Sequence, residues 1–445
     1  MSESPGMGSE VSRRRILQTA LAAPLVSLAG CARRGDGSLT PRVEARRFGV
    51  VVHLERYPPE QLDGVLAIVK TLGIGSVRGV VFPWSHVEAP RGRWKWEATD
   101  AQVEAVERAG LEPMGHLGPS ASWASSLDPN RETNPWGWSD YPPDDMNAWR
   151  EYVRRIVRRY AGRIRIWSPY NEPDNLDLFC PPRTEAEARD SRFLLRRREA
   201  FLVMQKITYA EAKQADPTCT VLSGAFSIHG RVDPDFIPWL MARRYGSLMD
   251  AFDVHAYDTL GAIRASVMRA RRMMALHGLR KPIWMSEVGA AVRRQARGGR
   301  PFASEDVAAF VPKALVTILS LGVERAFWYQ GYPEGNTSAT VTEPGFALIT
   351  AEGPTPAADA YAMTVRLLDG CRYAGPMTAC VLAGRAAGHT FESGRRRVLV
   401  AWAEAPDGLP NTPARAEAVV WWSGRVRRLS LTEKPTVLPE DGARV

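Results

Sequence analysis

Eight short apolar runs, each followed by a helix-sized stretch, pace the chain from residue 48 to residue 332. They are FGVVVH (48–53), SVRGVVF (76–82), LEPMGHL (111–117), RIRIWSPY (163–170), CTVLSGAF (219–226), AFDVHAY (251–257), PIWMSEVG (282–289) and RAFWYQGY (325–332). Near-continuous apolar runs suit strands buried on both faces, as a parallel sheet requires. Between them the period changes. Leu62, Val65, Leu66, Val69 and Leu72 recur at helical spacing, as do Trp149, Val153, Ile156, Val157 and Tyr160. Ser304 reads as an N-cap, with Glu305 and Asp306 in the first turn. Repeated strand–helix units predict an α/β chain closed into a (β/α)8 TIM barrel over residues 46–370. An open doubly wound sheet is the other solution, but no Gly-rich phosphate loop follows the first run. From residue 371 to 445 the texture changes: VLVAWAEA and EAVVWWSG alternate between Gly and Pro, which predicts a small antiparallel β domain.

The first 31 residues read as an address. Ser12-Arg13-Arg14-Arg15-Ile16-Leu17 resembles a twin-arginine export signal, and Leu28-Ala29-Gly30-Cys31 resembles a lipoprotein cleavage box. The apolar stretch from Ile16 to Leu28 is too short for a comfortable membrane span. Cys31 is therefore the expected lipidation site, followed by a polar linker over 32–45. The mature chain is expected on the outer side of the bacterial cytoplasmic membrane or in the outer membrane, with a periplasmic or secreted chain as the alternative.

The formal charge is +9, yet only seven of the 58 basic residues are Lys, and the arginines are scattered. No nucleic-acid stripe is indicated. Beyond Cys31 there are Cys180, Cys219, Cys371 and Cys380. Cys371 with Cys380, and Cys180 with Cys219, are possible disulfides, though a twin-arginine substrate folds before export. No CxxC or Cys/His ligand spacing occurs, so neither a metal nor a cofactor is expected.

In such a barrel the chemistry sits at the C-terminal ends of the strands. Those ends carry Arg78, His116, Asn171 with Glu172, His255 with Tyr257, Glu287 and Trp328. His255 lies two residues before Tyr257 and so points to the same side of its strand. Trp84, Trp94, Trp96, Trp123, Trp136 and Trp138 fall in or near loops of that face, and NPWGWSDY reads as a sugar platform. For Trp94 or Trp96 burial in the core is the simpler expectation.

Tyr170-Asn171-Glu172-Pro173 ending the fourth run, and WMSEVG ending the seventh, resemble the glycoside hydrolases of clan A. With GHLGPSASWAS and YPPDDMNAWREYVRRIVRRYAGRIRIWSPYNEP, residues 47–368 are most similar to glycoside hydrolase family 39 and its bacterial relatives. Ser168 and Tyr170 stand where the family's motif usually has Glu and Trp. The resemblance implies a retaining hydrolase, with Glu172 as acid/base and Glu287 as nucleophile. It also implies that Asn171 holds the sugar 2-hydroxyl, that Arg78 and Tyr257 orient Glu287, and that Trp328 floors the subsite. Retaining cleavage needs two carboxyl groups about 5–5.5 Å apart, one protonated and one ionised. The expected partners are an oligosaccharide or polysaccharide substrate and, through the Cys31 lipid, a membrane.

Two other classes compete. One is a non-catalytic glycan-binding envelope lipoprotein on a degenerate barrel, against which both glutamates with Arg78 and Tyr257 argue. The other is a metal-dependent barrel hydrolase, which would want a carboxylate and histidine ligand cluster that the residue spacing does not show. The loop after Glu287 holds Arg293, Arg294, Arg297 and Arg300. They could receive an acidic glycan, or form a solvated loop in an Arg-rich chain.

The address segment makes one direct prediction. The precursor should be cleaved before Cys31 and lipidated there. Mass spectrometry of the mature N-terminus checks this, and an unmodified Cys31 or cleavage elsewhere would remove the expectation.

Overall fold

The computed structural model describes residues 42–125, 138–227, 230–294, 299–332, 344–394, 396–409 and 411–439. Strands β1 (Phe48–Val51), β2 (Ser76–Phe82), β3 (Glu112–Leu117), β4 (Ile166–Ser168), β5 (Thr220–Val221), β6 (Phe252–Tyr257), β7 (Ile283–Gly289) and β8 (Arg325–Trp328) fall on the eight apolar runs. They pair in parallel in the order β5-β4-β3-β2-β1-β8-β7-β6. Parallel bridges Leu222↔Ala251 and Phe226↔Val254 join the two edges and close the ring. Each strand is followed by a helix. These are α1 (Pro59–Lys70), α2 (Glu97–Arg108), α3 (Met146–Arg159), α4 (Ser191–Ala215), α5 (Phe236–Met241), α6 (Leu260–Leu276), α7 (Ser304–Ser320) and α8 (Pro356–Leu368). The chain is a (β/α)8 barrel followed by antiparallel sheets.

The periodicities explain the packing. On α1 the buried residues are Leu62, Val65, Leu66 and Val69, one stripe against the sheet. On α3 they are Trp149, Tyr152, Val153, Ile156 and Val157, and Asp145 caps the helix by accepting from Asn147 N–H at 2.9 Å. The cap of α7 differs from expectation: it is Ala303, whose N–H donates to Asp306 Oδ2 at 2.7 Å, and Ser304 is already helical. Strand residues alternate between two cores. Val51, Met114, Ile166, Leu222, Ala251, Trp284 and Phe327 form the inner cluster, while their neighbours pack outward on the helices. At the N-terminal ends of the strands Arg325 pairs with Glu112, and both contact Ser76 Oγ at 3.3 Å.

The C-terminal region holds β9 (Arg372–Pro376), β10 (Ala379–Ala383), β11 (Ala386–Ser393), β12 (Arg396–Ala403), β13 (Arg415–Trp422), β14 (Arg425–Thr432) and β15 (Thr436–Pro439). They form sheets β9-β11-β12-β15 and β10-β13-β14, with Leu399, Ala401, Ala418, Val420 and Trp422 in one small core. Cys371, Phe391, Val398, Val400 and Trp402 belong to the barrel's own helix-side core. Lys313 of α7 donates to Glu433 O at 2.8 Å across the same contact. Cys180, Cys219, Cys371 and Cys380 are all free thiols, so neither possible disulfide forms. Among the described residues no helix is long and apolar enough to cross a membrane.

One buried side chain holds the backbone that leaves β4. Arg197, on α4, is fully buried and donates to the carbonyl oxygens of Pro173 (3.3 Å), Asn175 (2.9 Å), Phe179 (2.7 Å) and Cys180 (3.2 Å). Arg197→Met should lower stability by about 3 kcal/mol or more, since each buried acceptor left unpaired costs about 1–3 kcal/mol. Arg197→Lys should not restore it, because one ammonium cannot reach carbonyls spread over this whole loop. Urea unfolding followed by tryptophan fluorescence measures both.

Candidate active site

Glu287 reaches the barrel mouth through an irregularity in β7. Asp253 pairs with Trp284 and His255 with Glu287, so two steps on β6 oppose three on β7. Such a bulge re-aims side chains. Here it lets both Ser286 and Glu287 engage the inward residues of β6. The Glu287 carboxyl is buried, with Oε1 accepting from Arg78 Nη1 and Oε2 from Tyr257 OH. Burial alone would raise its pKa. The charges of His255 and Arg78, with the hydrogen bonds from Tyr257 and Arg78, overcome burial and bring it down to about 2. Arg78 stays charged for the converse reason: burial opposes its charge, and Glu287 more than compensates, leaving its pKa raised. The other guanidinium nitrogen donates to Asn171 Oδ1 at 2.7 Å. That bond fixes which end of the amide is oxygen, and leaves its NH2 group as the donor for a ligand.

β4 stops at Ser168, just before Pro169, but the turn that follows does more. Asn171 makes a last parallel bridge to Ala225, and Glu172 N–H donates to Ala225 O at 2.8 Å. Glu172 then takes a left-handed conformation (φ 42°), uncommon for a residue with a side chain and frequent at functional turns. Its Oε1 lies 2.7 Å from His255 Nδ1, and its Oε2 accepts from Asn175 Nδ2 at 2.9 Å. His255 is fully buried, with Nδ1 3.4 Å from Glu287 Oε2 and Nε2 3.0 Å from Ser286 Oγ. Burial would lower its pKa, but the charge of Glu287 and the hydrogen bond and charge of Glu172 raise it.

The structure thus brings together Arg78, Asn171, Glu172, His255, Tyr257 and Glu287. His116 is buried beside them on β3, paired in register with Ser168. Burial, then the Arg78 charge, push its pKa well below the ordinary histidine value, so it is neutral. Trp123 is half-buried, its indole donating to Glu88 O at 2.9 Å and its ring meeting Trp84 and Arg91.

Trp328 is a correction. It is fully buried and packs edge-on against Tyr361 of α8 and tilted against Phe310 of α7, so it faces the helices and cannot floor a subsite. Phe327 points inward, and by strand alternation so does Tyr329. Tyr329 is the partly exposed aromatic beside Tyr257 (centroids 6.2 Å apart), Phe346 (5.3 Å) and His53 (6.1 Å). The strand-end rule, applied to the first run and with the right parity to the eighth, would have found both His53 and Tyr329. Asn175, Asp253 and Ser286 had no signal of their own.

The tryptophan loops divide. Trp84 is fully buried and bonds Glu88, so it is core. Trp94 and Trp96 stack on each other beneath Arg155 and Arg159. Trp136 and the Trp138 side chain lie outside the described residues. In the arginine loop, Arg300 is committed to Asp306 at 2.6 Å, Arg293 is exposed, and Arg297 lies outside the described residues. Arg294 pairs with Asp258 at 2.9 Å over the rings of Tyr257 and Phe346, at the rim of the site.

One ligand atom each from Glu172, His255 and Glu287 lie within 4.8 Å of one another, a carboxylate and histidine cluster that residue spacing did not reveal. Its surroundings fit proton transfer better than metal ligation. Both Glu287 oxygens already accept from Arg78 and Tyr257, and the guanidinium supplies the positive charge that a cation would bring.

No protein-family model matches the chain, and no curated protein sequence matches it. Solved structures do. A family 39 glycoside hydrolase from the gut symbiont Bacteroides cellulosilyticus WH2 aligns with TM-score 0.63 and 16% identity over 89% of this chain and 82% of that one. A family 39 enzyme from Xanthomonas axonopodis pv. citri gives 0.57 and 19% over 82% and 73%. A glucosidase from Croceicoccus marinus gives 0.57 and 16% over 90% and 82%. At these identities the likeness is one of fold, and it extends through most of each chain.

Proposed function

We propose that the chain is a retaining glycoside hydrolase acting on an extracellular or envelope glycan, with Glu287 as nucleophile and Glu172 as acid/base. One observation carries this reading. Two glutamates from different strand ends meet with carboxyl oxygens within 4.8 Å, one of them held ionised by a buried arginine and a tyrosine. That separation suits direct attack, since an intervening water needs about 6.5–9.5 Å between the carboxyls. The fold shared with glycosidases supports the same reading.

The residues then take distinct parts. Glu287 attacks the anomeric carbon as the glycosidic C–O bond breaks, and Glu172 gives its proton to the departing oxygen. Esterified Glu287 carries no charge, and Glu172, left as a carboxylate once its proton has gone to the leaving group, accepts one from the incoming water. Asn171, its oxygen committed to Arg78, offers its NH2 group to the sugar 2-hydroxyl. Tyr329 and Tyr257 supply the aromatic wall that a sugar face packs against. The lipobox-like segment adds the proposal that the enzyme acts outside the cytoplasm, tethered through Cys31.

The two glutamates should fail differently. Glu287→Gly should nearly abolish hydrolysis, and azide should restore turnover with a glycosyl azide of inverted configuration. This variant should also lose several kcal/mol of stability, because Arg78 is left buried without its partner. Glu172→Ala should still accept substrates with good leaving groups, accumulate the glycosyl intermediate, and give a retained azide product. Near-wild-type turnover of an unactivated glycan by Glu172→Ala, or one configuration from both rescues, would sink the assignment.

The strand parity gives a separate pair of outcomes. Tyr329→Ala should raise KM about tenfold with the melting temperature little changed, the loss of one ring contact of about 1–1.5 kcal/mol. Trp328→Ala should cost about 3–5 kcal/mol of stability, as large-to-small changes in a core do. Thermal melts and Michaelis kinetics on the two variants separate the roles.

A further inference from the structure

The double displacement leaves a buried chain of hydrogen bonds without an assigned part. Asp253, His255 and Ser286 are all fully buried. Asp253 Oδ1 accepts from Ser286 N–H at 2.9 Å, and its Oδ2 accepts from Ser286 Oγ–H at 2.7 Å. Burial pushes the pKa of Asp253 up, against the His255 charge and the two Ser286 bonds that favour its ionised form. With Asp253 ionised, the one proton of the serine hydroxyl is spent on the carboxylate, which offers none in return. Ser286 Oγ, 3.0 Å from His255 Nε2, can then only accept, so Nε2 must carry hydrogen. The other ring nitrogen, Nδ1, faces Glu172 Oε1 at 2.7 Å. Two acceptors do not approach that closely without a proton between them, so the contact is either O–H···N or N–H···O.

We propose that Asp253 and Ser286 are positioning residues that lock His255 in its Nε2–H form, so that His255 and Glu172 together store the one proton that the leaving oxygen receives. This rests on the glycosidase reading above. In the first half-reaction the C–O bond breaks, its electron pair takes the stored proton from Glu172, and Glu287 forms the ester bond. The pair is left as a neutral imidazole beside a carboxylate. In the second, water attacks as the ester bond breaks, its proton returns to the pair, and Glu287 recovers its charge.

The groups facing His255 are Arg78 on β2, His116 on β3, Glu172 after β4, Asp253 and Tyr257 on its own strand, and Glu287 on β7. Burial opposes a charged imidazole, and the two glutamates outweigh it. Asp253 acts at the far nitrogen through the serine. The sign follows. The first half-reaction needs the pair protonated, so loss of that proton sets the basic limb of kcat/KM. Removing the Ser286 hydroxyl strands Nε2–H without an acceptor, destabilises the protonated pair, and lets the proton leave at lower pH.

The test uses the full mature protein with a panel of phenyl and 2,4-dinitrophenyl glycosides. With phenyl glycosides, which need the proton, Ser286→Ala should move the basic limb of kcat/KM down by about one pH unit, and Ser286→Thr should return it. With 2,4-dinitrophenyl glycosides, which depart without a proton, that limb should stay in place. A limb unmoved by Ser286→Ala on phenyl glycosides overturns the proposal. So does an equal shift on both leaving groups. Independently of turnover, nitrogen NMR of 15N-histidine-labelled protein should show neutral His255 protonated at Nε2 in the wild type and a tautomer mixture in Ser286→Ala. A neutral ring protonated at Nδ1 instead of Nε2 in the wild type overturns it too. If the wild type cleaves no glycoside of the panel, the glycosidase reading fails and the spectra alone judge the relay.

Discussion

A guanidinium buried against a carboxylate organises this molecule. Arg78 and Glu287 are both withdrawn from water, and bringing two charges into a barrel mouth is costly unless their remaining bonding positions are filled. They are filled by Tyr257 on the carboxylate and Asn171 on the guanidinium. This requirement ties β2, β4, β6 and β7 together at one level of the ring. Apart from the buried Asp253, the lumen beneath is apolar, with Val51, Met114, Ile166, Leu222 and Phe327 packed across it. The polar level has no route inward, so its charges face one another and the mouth.

That arrangement also accounts for the division of labour proposed for the glutamates. Glu287 meets the charges of His255 and Arg78 together with a phenol, and its pKa falls in spite of burial. Glu172 meets a histidine, which can share a proton with it, and an amide that donates to its other oxygen. Two chemically identical side chains thus acquire opposite tasks from the donors placed around them. The loop that supplies Asn175 is held from behind by Arg197, whose hydrogen bonds go to backbone carbonyls and whose charge faces Asp233 at 3.9 Å. Its part in the site is wholly positional.

Much of this is legible in the sequence, because strand and helix periods are properties of neighbouring residues. All eight strands lie within the apolar runs, and Arg78, Asn171, Glu172, His255, Tyr257 and Glu287 converge as strand-end placement suggests. What failed was finer than the element. Trp328 was one residue out of phase with the lumen, and Tyr329 takes the inward place. Trp84 reads as a loop aromatic, but the rings of Trp123, Trp149 and Tyr152 close around it, a long-range fact that no local window contains. Asp253 and Ser286 gain meaning only through the pairing of β6 with β7. The texture change at residue 371 marked new secondary structure correctly. It did not show that the core runs on without a break from the helices into Phe391, Val398 and Trp402.

The irregularity in β7 has a consequence for how such a site can be lost. Asp253 and His255, two residues apart, oppose Trp284 and Glu287, three residues apart. Deleting Met285, between Trp284 and Glu287, would restore even pairing and leave every side chain of the proposed mechanism present in the sequence. The ladder would close, but the extra position that lets Ser286 and Glu287 share one side would be gone. A descendant of this chain could therefore keep its motif-level credentials and its barrel while becoming inert. Comparing such sequences by the presence of two glutamates would miss the difference, whereas counting residues between the inward tryptophan and the acid would reveal it.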